Sequence, residues 1–290
     1  MPDIMRQKTR TPLTTQRRRA VNYKTSTFAL AILVGFLTLT GAADHTNGTS
    51  AEALRTMKNE AFSYGEKLTF AVKYKFVTAG YATMSVGHSP VTVSNRSCYD
   101  IQFKVRTTNS FDKIFKVRDI YRTWVDTDGL FPWKFQQRVR EGDYSKDFSA
   151  NIDQKANVAR TTEGSFKVPE FVQDVLSAFY YTRAVNLKGM KTGQSFTLKN
   201  FYGKKTHSLR VRVLGRETID VKAGEFKCVK VEPMVTEGGL FKSEGKIYIW
   251  LTDDDRKLPV KVSTAVVIGS IDSELVKYEG LNGKLAAKVD

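Results

Sequence analysis

The stretch "GEKLTFAVKYKFVTAGYATMSV", residues 65–86, alternates apolar and charged positions and then loses its charges after Gly80. A period of two places Leu68, Phe70, Val72, Tyr74 and Phe76 on one face of an extended strand and Lys67, Thr69, Ala71, Lys73 and Lys75 on the other, the pattern of half-buried β-structure. The charge-free "YATMSV" beyond Gly80 predicts a partner strand with Ala82 and Met84 facing an enclosed interior. Gly80 then belongs to the connection or bulge where the chain is re-aimed.

Outward from this pair the same period recurs with short breaks, over 99–107, 115–125, 133–140, 146–152 and 156–162, and again over 195–201, 207–217, 225–233, 246–252, 259–267 and 273–278. Such spacing predicts an all-β domain, β-rich with one amphipathic helix, built as a strongly curved antiparallel sheet or partly open barrel. The helix falls in the break, "VPEFVQDVLSAFYYTRAV" (168–185), where Val172, Val175, Leu176, Phe179 and Tyr180 keep helical spacing and Pro169 suits a first turn. It should lie across the sheet or plug its open end. In "FKVRDIYRTWVDTDGLFPWKFQQRVR" (115–140), Asp128-Gly129 favours a two-residue turn that would set Trp124 opposite Trp133, Asp119 opposite Arg138 and Tyr121 opposite Gln136.

The chain of 290 residues carries a formal charge of +16. Its first 43 residues have the three parts of a secretory signal: a basic stretch ending in "RRRAVNYK", the apolar run "FALAILVGFLTL" (28–39), and small residues at Gly41 and Ala43. Without that segment 39 basic residues stand against 29 acidic ones. The expected organisation is a signal peptide over 1–43, a flexible lead over 44–60 and a single β-rich domain over 61–284, exported to the periplasm, with no stable membrane span once the signal is removed. Export makes a disulfide between Cys98 and Cys228 permissible, against the alternative of two separate buried thiols.

No catalytic constellation stands out. The three histidines lie in unrelated contexts, and GxSxG, HExxH, CxxC and a Walker A loop are all absent, so no metal site, cofactor or nucleotide-driven activity is expected. Asp253, Asp254 and Asp255 read as a solvated turn, because calcium loops space their ligands at alternate positions. Glu141 and Asp143 read as a hairpin turn around Gly142. Basic residues (Arg106, Lys116, Arg118, Arg122, Lys134, Arg138, Arg140) crowd three consecutive strands among aromatics that include Tyr121, Trp124 and Trp133. In an exported protein such a set points to anionic lipid headgroups or envelope polymers rather than nucleic acid, or to a solvated face whose long stems cover apolar surface.

"FDKIFKVRDIYRTWVDTDGLFPWKF" and "FKVPEFVQDVLSAFYYTR", with "VREGDYSKDFS", "VKAGEFKCVKVEP" and "IYIWLTDDDRKLPVKVSTAVVIGSIDSELVKYEG", resemble the exported bacterial family of unknown function DUF3108, in its Bacteroidetes form. The resemblance runs from Phe62 to Leu281 and departs at Lys113, where members commonly carry an aromatic. It implies a secreted or periplasmic β-rich domain with no established activity. Arg118, Asp119, Tyr144, Tyr180 and Arg183 occupy family motif positions. The leading expectation is a non-enzymatic envelope protein that binds a lipid or acyl chain in the concave face of its sheet, with Arg118, Asp119, Tyr121, Arg138, Arg140, Tyr144, Tyr180 and Arg183 as candidate ligand contacts. The alternatives are an interaction module for cell-wall polymer or an envelope protein, and a hydrolase-like activity through Asp119 with Arg118 or Glu141 with Asp143.

Overall fold

The computed structural model describes residues 54–235, 246–266 and 269–289; the expected signal peptide and most of the expected lead lie outside the described residues. The chain forms two antiparallel meanders. The first comprises β1 (Lys67–Tyr74), β2 (Val77–Val86), β3 (Val91–Val93), β4 (Arg96–Thr107), β5 (Arg118–Asp126), β6 (Pro132–Glu141), β7 (Tyr144–Asp153), β8 (Val158–Thr161) and β9 (Gly164–Lys167), with a short helix α1 (Asn109–Asp112) between β4 and β5. The second comprises β10 (Ser195–Tyr202), β11 (Lys205–Val221), β12 (Gly224–Val235), β13 (Ile247–Thr252), β14 (Pro259–Ala265) and β15 (Ser270–Glu279), followed by β16 (Lys288–Val289) on β12. A ladder between β1 and β15 fuses them into one sheet, with the edges at β9 and β10.

Helix α2 (Val175–Ala184) is the segment that carries the chain from one edge of this sheet to the other. It starts at Asp174, whose carboxylate accepts from the Leu176 and Ser177 amides while the Ser177 hydroxyl accepts from the Asp174 amide, a reciprocal cap. The helix therefore begins at Val175, nearly one turn later than the apolar spacing from Val172 predicts. Val172 precedes it, and Gln173 instead makes a parallel bridge to Asn200 on β10. That bridge and the contact between Phe166 and Phe201 draw the two edges together without a continuous ladder among the described residues. The result is a curled, open, barrel-like sheet.

The opening strand pair behaves largely as its alternation dictates. Leu68, Phe70 and Val72 are buried, and so are Ala82 and Met84, which face the continuous core. Gly80 lies inside β2 rather than in the connection. The register shifts there, Val72 facing Gly80 and Lys73 facing Thr78, and a Cβ on Gly80 would meet the Arg106 carbonyl at 2.4 Å. The true turn is Lys75-Phe76, and Phe76 is fully exposed instead of joining the buried face.

Several local expectations need correction. Around Asp128-Gly129 the loop is longer than two residues. Val125 faces Pro132, but a bulge at Trp133 shifts the register, so Trp124 faces Lys134, Tyr121 faces Gln137 and Ile120 faces Arg138. Trp124 and Trp133 still meet in a small second core with Cys98 and Phe131. The Asp126 carboxylate takes the place of the missing turn geometry, accepting from the Asp128 and Gly129 amides, Trp133 Nε1 and Arg96. Asp254 is buried rather than solvated. It accepts from Thr252 Oγ1 and the Arg256, Lys257 and Ala287 amides, tying the β13–β14 turn to the C-terminal residues. Cys98 and Cys228 are both free and sit in different cores, with burial pushing each thiol up to about 12.

Residues 54–60 are bound to the sheet. The Met57 amide donates to the Asp128 carbonyl, and the Arg55 guanidinium donates to the Gly129 and Leu130 carbonyls over the Phe171 and Tyr181 rings.

Candidate functional site

Helix spacing and strand alternation converge on one apolar cleft. Val175, Ala178, Phe179 and Thr182 lie at i, i+3, i+4 and i+7 on α2 and so share a face. Opposite them stand alternate residues of three neighbouring strands: Leu209 and Val211 on β11, Val231 and Pro233 on β12, and Ile247, Ile249 and Leu251 on β13. The ladders place Val211 beside Pro233 and Val231 beside Ile249. The cleft holds about 540 Å³, its solvent-filled mouth included, but only about 40 Å³ of that admits water-sized bodies, so it is a narrow slot. Among the described residues Thr182 is the sole polar one of the lining. Its hydroxyl donates to the Ala178 carbonyl within the helix, so it offers a ligand no free donor. Among the described residues such a surface offers apolar contacts and no free hydrogen-bond donor, and its open space is smaller than a hydrocarbon chain.

Helix α2 is locked over the cleft from both ends. At its start, Thr123 Oγ1 on β5 donates to Asp174 Oδ2 at 2.6 Å, and Gln173 Nε2 donates to the Leu130 carbonyl. Burial pushes the Asp174 carboxyl up to about 6, against the hydrogen bonds from Thr123 and the helix amides that favour its charged form. At its end, Arg183 is fully buried and forms a bidentate pair with Glu66, Nη1 to Oε1 at 2.7 Å and Nη2 to Oε2 at 2.8 Å. Arg183 also donates to the Ala61 carbonyl and stacks near the Phe62 and Tyr180 rings.

None of the eight expected ligand contacts lines this cleft. Tyr180 and Arg183 belong to the lock just described. Arg118 is engaged by Asp112, and Arg140 and Arg138 share Asp147 on β7. Arg122 pairs with Asp100 and lies 4.5 Å from the Trp124 ring, so much of the basic and aromatic alternation is consumed in ion pairs and ring contacts within the sheet.

Asp119 and Tyr121 do come together, with Glu141. Alternation on β5 and β6 turns all three inward, with Gln137 facing Tyr121. The Arg140 amide donates to Asp119 Oδ1 at 2.8 Å. Burial pushes the Asp119 carboxyl up to about 8. The Arg140 amide opposes this, and the charge and hydrogen bond of Glu141 add to it. Tyr121 is also raised, first by burial and then by the Asp119 charge. Neither pairing suggested by the sequence, Asp119 with Arg118 or Glu141 with Asp143, forms: Arg118 points to Asp112, and Asp143 is exposed in the turn.

The architecture defines a class, open barrel-like antiparallel sheets crossed by one helix with an apolar slot beneath it. Within that class the chain belongs to DUF3108, whose family model, described as a protein of unknown function, matches residues 69–276. Among solved structures it is similar to a β-barrel-like DUF1849 protein from Brucella abortus, at 11% identity over 78% of this chain and 99% of that one, with a TM-score of 0.49. It is also similar to the hypothetical protein CT021 from Chlamydia trachomatis (7% identity, 78% and 92% coverage, TM-score 0.34). A DUF1089 family protein from Pseudomonas aeruginosa is a further similar structure (14% identity, 83% and 100% coverage, TM-score 0.31). No curated protein matches the chain.

Proposed function

We propose that this DUF3108 protein is an exported, non-enzymatic component of the cell envelope that holds an apolar chain, such as a lipid or lipoprotein acyl group, between α2 and strands β11–β13, the narrow slot there widening to admit it. The observation that carries the reading is the composition of that slot among the described residues: ten apolar residues and one threonine whose hydroxyl is already committed. A surface of this kind gains free energy from excluding water and from dispersion contacts along a chain. The signal-like segment over residues 1–43 supports export. Arg118, Arg138 and Arg140 lie outside the slot lining, so an anionic head would remain at the mouth and bind through solvent or other groups.

The test is uptake. The purified chain should release acyl-bearing species on solvent extraction, appear heavier in native mass spectrometry, and bind a fluorescent long-chain fatty acid. Ala178→Leu projects extra methyl groups into the slot and should weaken that binding at least tenfold, at a stability cost of no more than about 1–3 kcal/mol. A wild-type protein that carries and binds nothing, or an Ala178→Leu variant that binds as well as wild type, would overturn the proposal.

A further inference from the structure

Three connections lie side by side at one end of the sheet. The β1–β2 turn exposes Phe76 completely and Val77 to 57%, and the segment after α1 exposes Ile114 to 78%. The Thr108 amide donates to the Ala79 carbonyl at 2.9 Å, which holds the α1 segment against the base of the β1–β2 turn. The Gly142 amide donates to the Lys116 carbonyl at 2.8 Å, which brings the β6–β7 turn, with half-exposed Tyr144, alongside.

These tips contradict ordinary turn chemistry. Two-residue hairpin turns favour Gly, Asn or Asp, yet here the two positions are Lys75, at a φ of 54°, and Phe76. Neither Phe76 nor Ile114 is buried against its own chain. Each is immediately flanked by lysine, Lys75 before Phe76, and Lys113 before Ile114 with Lys116 two residues on, and all three lysines are exposed. Among the described acids nearby, Asp112 is paired with Arg118, Asp147 with Arg140 and Glu163 with Lys146, while Asp143 in the third turn is exposed.

We infer that this end of the sheet is a membrane-docking surface, in which Phe76 and Ile114 enter the acyl region of an anionic bilayer while Lys75, Lys113 and Lys116 contact its headgroups. Apolar tips ringed by lysine match the layered polarity of a lipid interface, apolar within and negative at the rim. A globular partner would have to supply apolar pockets and acids in the same alternation. The inference rests on surface residues and is independent of whether the slot under α2 binds anything.

One added tryptophan at a time reports it, read as the difference from the emission of the three native ones. In full-length chains carrying Phe76→Trp or Ile114→Trp, vesicles of phosphatidylcholine with 30% phosphatidylglycerol should shift the added emission to the blue, and brominated acyl chains should quench it. Lys155→Trp, in the turn at the opposite end of the sheet, should stay unquenched. Each lysine near an anionic surface is worth about fivefold in affinity, so Lys75→Gln with Lys113→Gln should raise the midpoint of the quenching titration roughly 25-fold. Tip tryptophans that stay solvent-exposed when vesicles are added would overturn the inference. So would equal quenching on pure phosphatidylcholine, or quenching at position 155 to the same extent.

Discussion

Asp119 is held where its charge is disfavoured, inward on β5 beside Glu141 and near Tyr121. A carboxyl with a native pKa of about 8, against roughly 3.9 in an unfolded chain, takes up a proton on folding throughout that interval. Its stabilising contribution is complete below about pH 4 and is lost as pH rises through 8. Asp174, raised to about 6 by burial, acts in the same direction over a narrower window. The wild-type melting temperature should therefore fall between pH 5 and pH 8.5, by roughly 4–8 °C if about 2 kcal/mol is lost. Asp119→Asn keeps an acceptor for the Arg140 amide and offers a permanent donor to Glu141, so it should flatten the profile and melt above wild type at pH 8.5. An unchanged slope in scanning calorimetry would show that the pair does not titrate as described. This pairing was invisible in the sequence: Asp119 and Glu141 lie far apart along the chain and meet only because the Trp133 bulge fixes the β5–β6 register.

At the scale of elements, the strands were legible because each is half buried, and burial on one face writes a period of two into the residues. The helix was legible for the corresponding reason, but its start was not. Val172 and Gln173 fit a helical stripe, yet Gln173 satisfies the edge of β10, and the Asp174 cap sets the boundary. The short elements α1, β3, β9 and β16 carry too few buried positions to leave a pattern. The slot could not be read at all, since its lining comes from four elements whose order in space is not their order in the chain. What holds α2 over the slot predicts two further outcomes. Asp174→Ala removes the cap and leaves the buried Thr123 hydroxyl only its longer bond to the Lys134 carbonyl, and should cost about 1–2 kcal/mol by urea denaturation; Asp174→Asn, itself a good cap, should cost much less. Arg183→Met leaves Glu66 buried without its partner and should cost about 3–5 kcal/mol. Glu66→Leu added to Arg183→Met should recover a substantial part of that loss. If the double variant is no more stable than the worse single one, the pair is not what joins the helix end to the start of β1.

For the molecule as a whole, the decisive fact is that its two meanders are joined by a ladder between the first strand and the fifteenth. Lys73 on β1 and Glu274 on β15 form an ion pair across 201 residues of chain, Val72 faces Ser273, and Leu275 is fully buried in the core that both meanders share. Sequence-distant pairing of this kind must close long loops before any contact rewards it, so folding should be slow for the size of the domain. The shared core also means that neither meander can bury its inner face alone. Leu68, Phe103 and Phe148 of the first belong to the same apolar cluster as Val213, Val231 and Leu275 of the second. Unfolding should accordingly be one cooperative transition, with calorimetric and van't Hoff enthalpies in agreement. Leu275→Ala, placed at the seam, should lower that single transition by about 2–5 kcal/mol without splitting it. Two resolved transitions in the wild type, or a Leu275→Ala variant in which one half melts while the other persists, would mean that the meanders are separate folding units and that the slot, built only from α2 and the second of them, does not depend on the first.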